Sequence, residues 1–158
     1  QRQMCIRDRS NFKDCHFHFI APLQSRKIPK ILENSKSVHT VSRLKEVEKI
    51  DLLYKNHEIF VQINIDNDPK KSGINPNDVQ KFFEKFENYS FFPNGIMCIP
   101  DINSDPRESF KNMNDINQKL LDNYKQYSGE LSMGMSADYK IALDYGATII
   151  RVGSKIFK

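Results

Sequence analysis

The chain has 158 residues, 39% hydrophobic and 28% charged, with a net charge of +4. That length fits one ordinary domain and that balance fits a folded soluble protein; no apolar run is long enough to span a bilayer, and no apolar leader marks a secretory signal. The lysines are spread without a basic block carrying aromatics, so neither nucleic acid nor membrane is an expected partner, and three scattered cysteines without metal-ligand spacing (Cys5, Cys15, Cys98) read as free thiols of a reducing, cytoplasmic compartment.

Residues 1–10, QRQMCIRDRS, differ in composition from the other 148: they hold three of the seven arginines and no lysine, whereas the rest has 17 lysines and four arginines. They look like a translated adapter and are expected to be a non-native leader, with the domain proper at 11–158. CHFHFIAPL (15–23) is an aromatic-rich apolar run closed by proline and predicts a buried strand. QSRKIPKILENS (24–35) predicts a short helix with Pro29 near its first turn. SVHTV (37–41) predicts a strand. The helix expected over 42–56 takes Ser42 as N-cap and turns Leu44, Val47, Ile50, Leu53 and Tyr54 to one face. EIFVQINI (58–65) predicts a third strand, and 66–76 a loop on composition. The helix expected over 77–89 faces Val79, Phe82, Phe83 and Phe86 inward. GIMCIP (95–100) predicts a fourth strand, 105–127 a long polar-faced helix, and ELSMG (130–134) and TIIRVG (148–153) the last two strands. SADYKIALDYG (136–146) is the helix between them, ended by Gly146.

Six expected strands therefore alternate with helices, each strand a short continuous apolar run. That pattern predicts an α/β fold of parallel strands covered by helices. An open doubly wound sheet and a (β/α)-barrel both fit it.

Two Gly/Ser turns, MGMS (133–136) and RVGS (151–154), lie where the last two expected strands run out. In parallel α/β folds that is the side where ligands bind. Ser136 has two readings: the cap of the helix it opens, or a hydroxyl offered to a phosphate beside unpaired N–H groups. Gly153 and Ser154 form a second turn, where a missing side chain lets backbone approach an oxyanion. Arg151 stands in an otherwise apolar strand. It is expected to reach a polar pocket or to pair with a carboxylate, since an unpaired buried cation is costly.

HFIAPLQSRK (18–27), VQINI (61–65), KSGI (71–74), GIMCIP (95–100) and LSMGMSADYKIALDYGATIIRVGSKIF (131–157) occur in this order. Together they resemble the pyridoxal-phosphate homeostasis protein family, over nearly all of residues 15–157, and the last motif is the most specific. The resemblance implies a (β/α)8 TIM barrel of the alanine-racemase N-terminal type, here incomplete with about six βα units. It implies pyridoxal 5′-phosphate (PLP) as the cofactor, with a role in storing, delivering or buffering it, PLP-dependent apoenzymes as partners, no metal and no established catalytic turnover. Carried over by motif, Ser136, Gly153 and Ser154 would bind the phosphate and Arg151 would lie near the pyridine nitrogen. A cation there disfavours pyridinium formation and so weakens the electron sink of PLP enzymes. Asn64, Met97 and Met133 would line the cofactor pocket.

The match begins at what resembles the family's third strand. Its Schiff-base lysine, on the first strand, is therefore expected upstream of residue 1, together with about two βα units, on the order of 60 residues of a ~250-residue barrel. Neither Lys27 nor Lys71 occupies that lysine's position. Ala21, Arg26 and Lys158 stand where the family usually has Gly, Asn and Gly, which touches the fine structure of the pocket rather than the family. A sheet lacking two strands has two unpaired edges and is expected to be poorly soluble or to associate through them. Two alternatives come from other classes. One is a PLP-dependent racemase-like enzyme, which needs an acid/base pair; His18, His39 and Tyr139 are candidates whose spacing also suits structural roles. The other is a phosphate-binding barrel of unrelated chemistry.

Overall fold

The short β-branched and aromatic runs become six strands in the computed structural model, which describes residues 15–157. They are β1 (His18–Phe19), β2 (Ser37–Val41), β3 (Glu58–Ile63), β4 (Gly95–Cys98), β5 (Glu130–Met135) and β6 (Ile149–Arg151). Between them run α1 (Ile28–Asn34), α2 (Leu44–Asp51), α3 (Val79–Glu84), α4 (Pro106–Asn123) and α5 (Tyr139–Asp144). The expected leader at 1–10, with Cys5, lies outside the described residues.

Every strand pair is parallel, and the sheet order β1-β2-β3-β4-β5-β6 follows the chain. A doubly wound sheet reverses its order at a switch point. An unreversed order with right-handed crossovers puts every helix on the same face and curls the sheet into a half-barrel. The choice that hydrophobic pattern alone left open is thus made by strand order. Among the described residues β1 and β6 each pair on one side only.

Side-chain alternation sorts the strands into two faces. Val38, Ile59, Val61, Ile63, Ile96 and Leu131 join a core cluster with helix residues such as Ile50, Phe83, Phe110 and Leu120. Phe60 and Met97 are equally buried but lie outside that cluster, and their strand neighbours on the same face include the buried polar residues His39, Gln62 and Ser132. Removing the Phe83 ring from this core would cost roughly 3–5 kcal/mol, the range for deleting a large buried aromatic.

Several elements are shorter than expected. The run 15–23 pairs only at His18–Phe19, since Pro22 has no N–H to give and the chain leaves the sheet. The helices expected over 24–35 and 77–89 begin as 3-10 turns at Ser25–Lys27 and Pro76–Asp78, and the latter ends in another at Lys85–Asn88. Arg43, not Ser42, caps α2, because Glu46 reaches back to accept from both the Ser42 and the Arg43 N–H, at 2.9 and 3.1 Å. That helix stops at Asp51, so its buried stripe narrows to Val47 and Ile50 while Leu44 and Leu53 stay 38% and 37% exposed. Val79, Phe82, Phe83 and Phe86 are all buried, as their spacing predicts.

Candidate functional site

At the carboxyl ends of the strands the two Gly/Ser turns meet. β5 passes through Gly134, whose φ of +88° is a left-handed conformation that glycine adopts freely. The next turn is closed by Asp138, whose carboxylate accepts the Met135 N–H at 2.6 Å and which caps α5. Ser136 is therefore not the helix cap; its hydroxyl accepts the Gly153 N–H at 3.1 Å and ties the two turns together. Gly153 itself has no left-handed φ, and a Cβ added there would meet nothing within 4 Å. Neither backbone conformation nor packing therefore calls for glycine at this position. Past it, the Lys155 ammonium lies 4.6 Å from the centre of the Tyr139 ring. At the far end of α5, Gly146 and Ala147 donate to the Leu143 and Ala142 carbonyls at 3.0 Å each, a Schellman ending that fulfils the expected role of Gly146.

These turns rim a cavity of about 740 Å³ whose wall includes Ser136, Arg151, Gly153 and Ser154, with Ile20, Ile99, Met135, Ile149 and Ile150 as its apolar part. Arg151 is half-buried. Its guanidinium donates from Nη1 to the Ser132 carbonyl and hydroxyl oxygens at 2.9 and 2.8 Å, and from Nη2 to the Cys98 carbonyl at 2.7 Å. All three acceptors are neutral, and no carboxylate lies within ion-pair distance of it among the described residues. Of the two outcomes expected for Arg151, it does line a cavity, though one with a largely apolar wall, and it forms no ion pair among the described residues. The cation is thus oriented but not neutralised, which suits an acceptor arriving from the cavity.

A family model described as the alanine racemase N-terminal domain matches residues 8–158. The chain belongs to that family. Within it, the chain is similar to the pyridoxal phosphate homeostasis protein of Vibrio cholerae, at 36% identity over 156 residues, covering 89% of this chain and 63% of that protein. It is also similar to the protein of the same name from Aquifex aeolicus, at 29% identity, covering 91% of this chain and 67% of the relative. The chain thus spans about two thirds of these relatives' length. Among solved structures, PipY of Synechococcus elongatus PCC7942 superposes with TM-scores of 0.86 without PLP and 0.85 with PLP bound. In both comparisons the identity is 25%, covering 99% of this chain and 76% of PipY.

In this alanine-racemase-type fold the remaining expected residues fall in different places. Asn64 is half-buried just beyond β3, and its amide is spent on the adjoining loop: Nδ2 donates to the Asp68 carbonyl at 2.8 Å and Oδ1 accepts the Asp68 N–H at 3.2 Å. Met97 is fully buried on β4, on the same side as Phe60, and Met133 belongs to the core cluster with the helices. None of the three is on the wall of the 740 Å³ cavity. Lys71 pairs with Asp66 at 2.7 Å and also reaches the Ile99 carbonyl at 3.3 Å, while Lys27 is exposed. Burial pushes the Cys98 thiol up to about 12, which leaves it a poor nucleophile at neutral pH. Among the described residues no group of three or more His, Cys, Asp or Glu is placed to hold a metal, and no helix is long and apolar enough to cross a membrane.

Sequence reasoning misses Ser132, although it lies inside the most specific motif. A signal exists: a serine one residue from each of two buried apolar neighbours, Leu131 and Met133, in a strand beside the arginine-bearing β6. His39, considered only as an acid/base candidate, lines the same cavity and hydrogen bonds to Ser132 at 2.9 Å.

Proposed function

We propose that residues 11–158 form a partial PLP-binding barrel domain whose cavity holds PLP for storage, delivery to PLP-dependent apoenzymes or buffering, rather than for turnover. The observation that carries this reading is Arg151: a half-buried cation without a carboxylate partner among the described residues, on a cavity whose rim carries Ser136, Gly153 and Ser154. The residues fit the cofactor. Ser136 and Ser154 supply hydroxyl donors for a phosphate. Gly153, whose N–H holds the Ser136 oxygen in place, leaves room for it where a Cβ would stand free in the opening, and Arg151 supplies a donor for an unprotonated ring nitrogen. Bound PLP brings a reactive aldehyde and an electron-withdrawing ring. An arginine beside the nitrogen keeps that ring a weak electron sink, in line with the relatives' being named for homeostasis. Asn64 contributes by shaping the loop after β3, and Met97 by filling the concave face beneath the cavity; Met133 acts only through the core.

Fluorescence titration with PLP, with inorganic phosphate as competitor, tests the reading. Wild-type protein is expected to bind PLP and to release it to phosphate. Gly153→Ala is expected to unfold within about 0.5 kcal/mol of wild type, as surface changes do, yet to bind PLP roughly tenfold more weakly, about 1.4 kcal/mol. Borohydride reduction followed by mass mapping is expected to leave no stoichiometric adduct on Lys27 or Lys71. Wild-type protein that ignores millimolar PLP would sink the proposal.

A further inference from the structure

Behind Arg151 a hydrogen-bonded chain crosses the concave face. Ser132 Oγ lies 2.8 Å from Arg151 Nη1 and 2.9 Å from His39 Nδ1, and His39 Nε2 lies 2.9 Å from His18 Nδ1. The links join β6, β5, β2 and β1, four strands that local sequence keeps far apart. Phe60 fixes the plane of the central ring, stacked on His39 at 4.2 Å with 4° between planes.

Proton counting sets the direction of these hydrogen bonds. A hydroxyl has one proton and two lone pairs, and a guanidinium only donates. Arg151 therefore gives a proton to Ser132 Oγ. If His39 Nδ1 donated there too, the Ser132 proton would be buried without an acceptor, because Ser132 Oγ has no third partner among the described residues. Ser132 must donate to His39 Nδ1. His39 is then protonated at Nε2, from which it donates to His18 Nδ1. The arrangement requires His39 neutral, and burial, followed by the nearby His18 and Arg151, pushes its imidazole down to about 3.

We propose that Ser132 and His39 are positioning residues that hold the Arg151 guanidinium in one orientation. Three of its N–H groups are spent on Ser132 and Cys98, and the remaining Nη2–H and Nε–H are kept for the ring nitrogen of the cavity ligand. The proposal rests on the PLP reading for the ligand's identity, but the orientation itself belongs to the free protein. Without the Ser132 hydroxyl the guanidinium keeps only carbonyl acceptors and gains rotational freedom, and affinity for a ring acceptor falls while affinity for phosphate at the rim does not.

The test combines nitrogen-15 NMR of the free protein with two ligand titrations. In wild type, His39 is expected to show an unprotonated Nδ1 and a protonated Nε2, and Arg151 resolved, slowly rotating Nη protons. In Ser132→Ala those Arg151 signals are expected to average, PLP affinity to fall about tenfold and inorganic phosphate affinity to stay within twofold. Ser132→Thr, which keeps the hydroxyl, is expected to restore both. His39→Phe keeps the stack on Phe60 but removes the acceptor; its expected threefold loss of PLP affinity serves should Ser132→Ala not fold. The opposite His39 tautomer, unchanged Arg151 signals in Ser132→Ala, or an equal loss of PLP and phosphate affinity overturns the positioning role. Wild-type protein that holds the Arg151 signals but binds no PLP overturns the functional reading alone.

Discussion

A neutral imidazole packed on Phe60 and flanked by His18 and Arg151 makes the fold sensitive to acid, chiefly through His39. The folded value of His39 is lowered from the ordinary 6.5 to about 3, by burial first and then by the two neighbouring cations or potential cations. Between those values the unfolded chain holds a proton that the folded chain refuses. Stability from this residue is therefore complete above about pH 6.5 and is lost as pH falls toward 3. By pH 4.5 the loss is on the order of 2–3 kcal/mol, about 1.4 kcal/mol for each pH unit below 6.5. His18 is shifted in the same direction, chiefly by burial, and adds to the trend with the same sign. Urea unfolding at pH 7.5 and 4.5 measures this. His39→Phe, which preserves an aromatic ring against Phe60, is expected to flatten most of the difference. Equal slopes for the two proteins would assign the acid sensitivity to other groups. The same neutrality lets His39 accept from Ser132, so acid stability and the orientation of Arg151 have one cause.

Element packing brings α5 close to β5 at Gly134. A Cβ there would fall 2.6 Å from the Ala142 Cβ and 3.0 Å from the Tyr139 Cα, and φ is already left-handed. Gly134→Ala therefore carries two penalties, conformational and steric, together about 2–4 kcal/mol. Denaturant unfolding of Gly134→Ala and of Gly134→Ala with Ala142→Gly separates them: the second change relieves the contact but not the φ, so only part of the loss is expected to return. Full recovery would mean that the backbone conformation costs nothing. The contrast with Gly153 shows how much the sequence revealed. Both glycines belong to Gly/Ser motifs at the carboxyl end of a strand and read alike as letters, yet Gly134, inside β5, is required by the helix packed on it and Gly153, beyond β6, faces open space. The number, order and type of the elements were legible, because apolar runs of strand length alternate with helical spacing. The position of Arg151 on a cavity was legible too, since a cation in an apolar strand must go somewhere polar. The direction of Ser136 was not, because Asp138 competed for the cap two residues later. Nor was the His39–Ser132 contact, which joins residues 93 apart through strand order that no local pattern encodes.

At the scale of the molecule, a half-barrel has what a closed barrel lacks: two strand edges with backbone groups open to pairing. β1 and β6 each pair on one side only among the described residues, and the concave wall beside them carries Ile20, Ile149 and Ile150. Ile20 is 48% exposed, and beyond β6 Ile156 and Phe157 are 66% and 82% exposed. The edges are short, two and three residues, which limits how many ladder bonds a second copy can form. Strand addition alone gives little affinity at that length; burial of the isoleucines supplies the rest, at roughly 25 cal/mol for each Å² removed from water. A net charge of +4 opposes association only weakly at physiological salt, where screening acts within about 8 Å. Sedimentation velocity across a hundredfold range of concentration is therefore expected to show reversible self-association in the micromolar range. Ile150→Lys, which places a charge at the β6 edge, is expected to shift the protein toward monomer without loss of secondary structure. Raising the salt is expected to strengthen wild-type association slightly, because the repulsion it screens is between like charges. A monomer at every concentration that also melts cooperatively would overturn the prediction and mean that edges this short, with the isoleucines beside them, do not suffice for association.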